Sequence, residues 1–101
     1  RQLVTAPQEG FVAEVAVRPG ERVKAGQLLL RLDDRDIQLE RQRYGSEREQ
    51  AAGRLRQAMA DRDAAAVALA ATEVRSAEAQ LALAEARLQR TLLLAPMDGL
   101  V

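Results

Sequence analysis

The sequence contains no cysteine, histidine or tryptophan, and Phe11 and Tyr44 are its only aromatic residues. Without Cys or His, thiol and imidazole catalysis are excluded, and so are the usual donors for zinc or copper. The scarcity of aromatics removes the largest contributors to a globular core and any platform on which unpaired bases stack. Charge of one sign is missing too, since 15 basic side chains balance 15 acidic ones. A neutral chain has no general field to draw a polyanion, so nucleic acid is not an expected partner. No apolar run approaches the roughly 20 residues that span a bilayer, and no charged-then-apolar leader opens the chain. Any export signal or anchor is expected to lie outside these residues.

What is present is alanine and charge. Apolar residues make up 48% of the chain and charged residues 30%, a composition that favours long helices over a compact globule. Proline is absent between Asp33 and Thr91, while all three prolines and four of the six glycines lie outside that stretch. The distribution divides the chain into β, α and β segments, at 1–33, 34–91 and 92–101.

The first segment reads as short strands joined by turns. Leu3-Val4-Thr5 is a brief β-type run stopped by Pro7. After Gly10, the residues Phe11, Ala13, Val15 and Val17 share one face by period-2 alternation, which predicts a half-buried strand. Pro19-Gly20 fits a type II turn, with proline presetting φ and glycine accepting a positive φ. Ala25-Gly26 reads as a second turn before Gln27–Leu32, where Leu28, Leu30 and Leu32 face one way.

The middle segment reads as helix. Asp33, with Asp34 and Asp36 close behind, suits an N-cap at the positive end of the helix dipole, and this capping role explains the acidic cluster better than a cation site. In the second half of the segment, Val67, Val74, Leu81 and Leu88 alternate with Ala70, Ala77, Ala84 and Thr91 in an unbroken heptad seam. The first half has a weaker seam through Ile37, Tyr44, Ala51, Leu55 and Ala58. It also contains Gly45 and Gly53, each of which costs about 1 kcal/mol relative to alanine inside a helix. Ser46–Glu49 after Gly45 has a capping-box pattern, so the sequence allows either a break there or a tolerated glycine. The interleaved Arg41, Arg43, Glu47, Arg48 and Glu49 read as a solvated face with weak ion pairs.

A single helix through this segment would separate its ends by roughly 85 Å at 1.5 Å per residue. An internal repeat argues against that. Leu3–Val12 is echoed by Leu92–Val101 in the frame Ala-Pro-x-x-Gly-x-Val, with an acid directly before the glycine, and repeated units tend to pack together. A chain that leaves and returns needs two nearly equal arms. The midpoint falls at Arg62-Asp63, which predicts a turn within 60–65 and two antiparallel arms of roughly 40 Å each.

The motif Ala6-Pro7-x-x-Gly10-x-Val12, followed by Val15-x-Val17-x-Pro19-Gly20-Glu21-x-Val23-x-x-Gly26-Gln27-x-Leu29, resembles the first half of a biotinyl/lipoyl-type domain. With the charged hairpin and Leu88-x-x-Thr91-x-Leu93-x-Ala95-Pro96-x-Asp98-Gly99-x-Val101, the whole chain is similar to the periplasmic adaptor subunits, the HlyD-like membrane fusion proteins. The resemblance implies an α+β fold in which an antiparallel α-helical hairpin is inserted into a lipoyl-like β domain, a barrel-sandwich hybrid of which these residues hold only part. It implies no enzymatic activity and no cofactor. It further implies a periplasmic location with an inner-membrane anchor elsewhere in the protein, self-association into a ring such as a hexamer, and two partners: an inner-membrane transporter and an outer-membrane channel of the TolC type.

On this reading Pro7, Gly10, Gly20, Gly26, Pro96 and Gly99 are half-motif turn residues, and Met59, Asp61, Arg62 and Asp63 are candidates for partner contact at the hairpin tip. The tip residues are placed by position alone, because no arginine around the tip has the leucine and serine spacing by which many drug-efflux adaptors engage their channel. Two other readings compete. A biotin or lipoyl carrier needs a lysine in the turn between its halves, and Leu32–Asp36 has none; Lys24, the only lysine, reads as a solvated loop charge. A cytosolic coiled-coil scaffold would need neither the repeat nor β segments at both ends.

Overall fold

The structure, a computed structural model, describes residues 10–101. The elements run β1 (Val12–Val15), β2 (Arg22–Val23), β3 (Leu28–Leu32), α1 (Arg35–Ala60), α2 (Ala64–Gln89), β4 (Leu92–Leu94) and β5 (Gly99–Leu100). They form two units: the strands with the outer ends of the helical segment, and the helical pair Asp36–Ala86. The fold is α+β, with a helical hairpin between strands. The expected run Leu3–Thr5 and the turn residue Pro7 lie outside the described residues.

Two turns shape the β unit. Glu21 N donates to Arg18 O at 3.1 Å, with Gly20 at φ 86°, and Gln27 N donates to Lys24 O at 3.0 Å, with Gly26 at φ 85°. Both glycines occupy the third position of a type II turn, where a side chain would be strained. β1, β3 and β4 form one antiparallel sheet in the order β1-β3-β4, and β2 pairs with β5 in a second. The second copy of the repeat is therefore zipped onto residues 20–32: Leu28 pairs with Leu94, Arg31 with Leu92 and Arg22 with Leu100. Paired bonds of 2.8 Å between Gly26 N and Ala95 O and between Ala95 N and Gln27 O carry the zipper across the gap between the sheets.

The expected alternation fails in β1. The pairing register shifts between Val12 and Glu14, and an irregularity of this kind interrupts the period-2 pattern. Phe11 and Val15 are 86% and 64% exposed, and only Val17 of the predicted face is buried. A second shift between Leu28 and Leu30 lies in β3. There Leu29 packs against the small core of Val17, Val23 and Ala95, while of the predicted face Leu32 is buried and Leu28 and Leu30 are half-buried.

At the start of α1 the Asp33 carboxylate accepts the Arg35 backbone N–H at 3.1 Å and grips the Arg35 guanidinium at 3.0 and 2.7 Å. These side-chain hydrogen bonds, with the backbone one second, hold its carboxyl below the ordinary carboxylate value. Asp34 meets Arg31 at 3.5 Å. The helix then runs unbroken through Gly45 and Gly53, so the capping-box restart after Gly45 is not used. Ile37, Ala51 and Ala58 are buried on α1, and Ala70, Ala77 and Ala84 on α2. Tyr44, Leu55, Val67, Val74 and Leu81 are half-buried along the same seam. Small residues every seventh position let two helix backbones approach closely. Arg54 and Glu73 form an ion pair between the helices beside this seam.

Thr91 ends the heptad. It is the largest fully buried side chain, and its hydroxyl donates to Leu88 O at 2.6 Å. Its own carbonyl accepts from Leu32 N at 2.8 Å, which joins the helix end to the sheet.

Candidate functional site

The helices are joined by Asp61, Arg62 and Asp63, inside the predicted 60–65 interval. Asp63 N donates to Ala58 O and Arg62 N to Met59 O, both at 3.1 Å. That bond pair is the Schellman closure of a helix, and it places Arg62 at the position that adopts the left-handed conformation. Its φ is 54°. Asp63 also opens α2: its carboxylate accepts the Ala66 N–H at 3.1 Å, and its carbonyl accepts from Val67 N at 2.9 Å. One aspartate thus serves as the last residue of the first helix cap and the N-cap of the second. Asp61 accepts a hydrogen bond from Gln57 Nε2 at 3.0 Å.

The four tip candidates therefore separate into two kinds. Asp61 and Asp63 are engaged by the turn itself. Met59 is 60% exposed, and Arg62 is exposed, with no side-chain hydrogen bond or ion pair among the described residues. Position gave the location of the tip, but the division of labour needed the hydrogen bonds. The leucine and serine spacing absent around the tip is met at the opposite end of α1, by Arg35, Leu39 and Ser46. There the Arg35 guanidinium is held by Asp33.

The half-motif residues also differ in kind. Gly20 and Gly26 alone among the described glycines have positive φ. Pro96 lies in a bend. Gly99 is a strand residue of β5 opposite Val23, not a turn residue, and Gly10 precedes β1. The residue that sequence reasoning passed over is Asp98. Its carboxylate accepts the Ala25 N–H at 2.7 Å, so the second repeat copy clasps the Lys24–Gln27 turn of the first segment. The signal for it was the acid directly before the glycine in both copies.

Beside this clasp the β unit opens an apolar concavity of about 1040 Å³, lined among others by Val15, Val17, Val23, Leu29, Leu93 and Met97. No helix among the described residues is long and apolar enough to cross a membrane. The geometry defines a class: a small strand-zipped β unit whose sequence is interrupted by a closely seamed helical hairpin.

Solved structures share it. A membrane fusion protein of Streptococcus pneumoniae, Spr0693, matches with a TM-score of 0.87 at 19% identity over 97% of this chain and 47% of its own. A MacA-MexA chimera containing the Pseudomonas aeruginosa MexA α-hairpin domain matches with a TM-score of 0.82 at 23% identity, over 95% of this chain and 37% of its own. A protein named as an efflux transporter of Bacteroides eggerthii matches at 29% identity with a TM-score of 0.75, over 91% of this chain and 30% of its own. No family model and no curated protein sequence matches. The chain spans less than half the length of each of these structures. In fold, the chain is similar to segments of these membrane fusion proteins, with the helical hairpin and antiparallel strands that its sequence resemblance implied.

Proposed function

We propose that the chain is the hairpin-bearing segment of a periplasmic adaptor in an efflux or secretion system. It links an inner-membrane transporter to an outer-membrane channel of the TolC type and makes or breaks no covalent bond. The observation that carries this reading is the pairing of residues 92–101 with residues 20–32 across a helical insert that returns to its starting point. Residues 1–33 and 92–101 then belong to the two halves of a lipoyl-like domain. The open apolar concavity beside β5 is the surface on which the remaining strands close. The hairpin contacts the channel through its tip, and copies assemble side by side into a ring such as a hexamer, because a narrow alanine seam leaves most of each helix surface free for lateral packing. An anchor to the inner membrane lies in another part of the protein.

Neither competing reading draws support. A carrier needs a lysine in the connection where β3 instead runs into α1, and a free coiled-coil scaffold has no use for the zipped strands. Tagged full-length protein, cross-linked in intact cells and recovered from the envelope, tests the proposal. Recovery with a transporter and an outer-membrane channel is expected. A cytosolic protein associated with neither would refute the adaptor role.

A further inference from the structure

Position 62 is where a helix cap of this kind prefers glycine, because the left-handed conformation crowds the Cβ of any other L-residue. The chain places an arginine there, at φ 54°. It is the one non-glycine residue among those described with positive φ. Nothing within the turn repays this choice. Asp61 and Asp63 already complete the hydrogen bonds of the tip, and the Arg62 guanidinium has no partner among the described residues. A local rule broken without a local gain marks a residue kept for what it meets outside the fold.

Resting on the adaptor reading, we infer that Arg62 is the recognition residue of the hairpin tip, and that its target is a discrete acceptor on a protein partner: a carboxylate or a pair of backbone carbonyls. The planar guanidinium suits a two-pronged contact of that kind. The sequence Asp61-Arg62-Asp63 carries more negative than positive charge, which favours a protein acceptor over a phosphate-dense surface, since such surfaces are recognised by clusters of basic residues. Met59, exposed one helical turn earlier, supplies an adaptable apolar contact at the edge of the same patch.

The test uses the full-length protein with the purified outer-membrane channel of its host, and measures both melting temperature and affinity. Arg62→Gly relieves the backbone strain, so the hairpin transition rises by about 4 °C, while channel affinity falls at least about 10-fold. Arg62→Lys retains the charge but loses the fork, and its affinity falls between those of wild type and Arg62→Gly. An Arg62→Gly protein that melts higher and binds the channel as tightly as wild type overturns the inference. The double variant Met59→Glu, Arg62→Glu distinguishes the two levels of the argument. If it abolishes binding while Arg62→Gly does not, the tip contacts the channel without Arg62 recognition. If even the double variant binds normally, the tip reading itself fails. Vesicles containing phosphatidylglycerol form the last arm: binding to them that depends on Arg62 would replace the protein target with a membrane surface.

Discussion

α1 and α2 have the same length, 26 residues each, and reach the same seam from opposite compositions. α1 has twice as many charged side chains as α2 and two interior glycines; α2 is mostly alanine with leucine and valine. By intrinsic propensity α2 is the better helix, and α1 is weakened at Gly45 and Gly53. Yet both are continuous, and both bury a small residue at heptad spacing: Ala51 and Ala58 on one, Ala70, Ala77 and Ala84 on the other. The seam is therefore set by the close approach that alanine permits, and the outward faces are free to differ. α1 spends its surface on ion pairs such as Arg43–Glu47 at 3.2 Å. α2 carries fewer charges and leaves Leu69 and Leu83 exposed, as α1 leaves Leu39 and Met59.

The largest test of this comparison is overpacking. Ala51→Leu on α1 and Ala77→Leu on α2 each insert bulk at a buried position, and each is expected to destabilise the hairpin by about 1–3 kcal/mol in denaturant unfolding. A large loss from one and none from the other would show that the seam is not shared equally.

Glycine supplies the next test. A Cβ built at Gly45 meets no atom within 4 Å, so Gly45→Ala should stabilise by up to about 1 kcal/mol. The reverse change on an exposed α2 position, Ala79→Gly, should cost about the same. Thermal melts monitored by helical circular dichroism measure both. An unstable Gly45→Ala protein would mean that the open space on α1 is occupied in the assembled molecule.

Smaller still is the effect of the ion pair between the arms, Arg54 with Glu73. Arg54 and Glu73 remain 55% and 36% exposed, so a double-mutant cycle should give about 0.2–1 kcal/mol, falling as salt is added. A coupling that resists salt would contradict a solvent-screened pair.

The smallest effect concerns acid. Asp33 at the start of α1 has a folded pKa below its ordinary value of 3.8, chiefly through its side-chain bonds to Arg35. A lowered pKa contributes stability that is complete above the unfolded value and is lost as pH falls through the folded one. Asp33→Asn should therefore cost a little stability at neutral pH, a cost that shrinks as pH falls below about 4, so that the acid limb of the profile flattens. An equal loss at pH 7 and pH 3 would assign Asp33 a role independent of its charge.

Much of this architecture was legible in the sequence because local chemistry decided it. Pro19-Gly20 and Ala25-Gly26 fixed two turns, the alanine heptad fixed the α2 seam, and the repeat around a proline-free stretch fixed the return of the chain. β1 was misread because a register shift is a pairing event, and nothing in Phe11–Val17 announces one. At the tip, midpoint arithmetic located Asp61–Asp63. It could not tell the capping role of Asp63 from the free guanidinium of Arg62, since that difference lies in backbone hydrogen bonds between residues of the same polarity. Asp98 was hidden for a related reason: its partner, the Ala25 N–H, lies 73 residues away in the chain.

The central claim is that this hairpin belongs to an adaptor that engages an outer-membrane channel. The most direct measurement places a photo-cross-linking residue at position 59 of the full-length protein in living cells, with position 79 on the outer face of α2 as control. The account predicts an adduct with the outer-membrane channel from position 59 and none from position 79. An adduct with a cytosolic protein, or equal channel labelling from both positions, would contradict it.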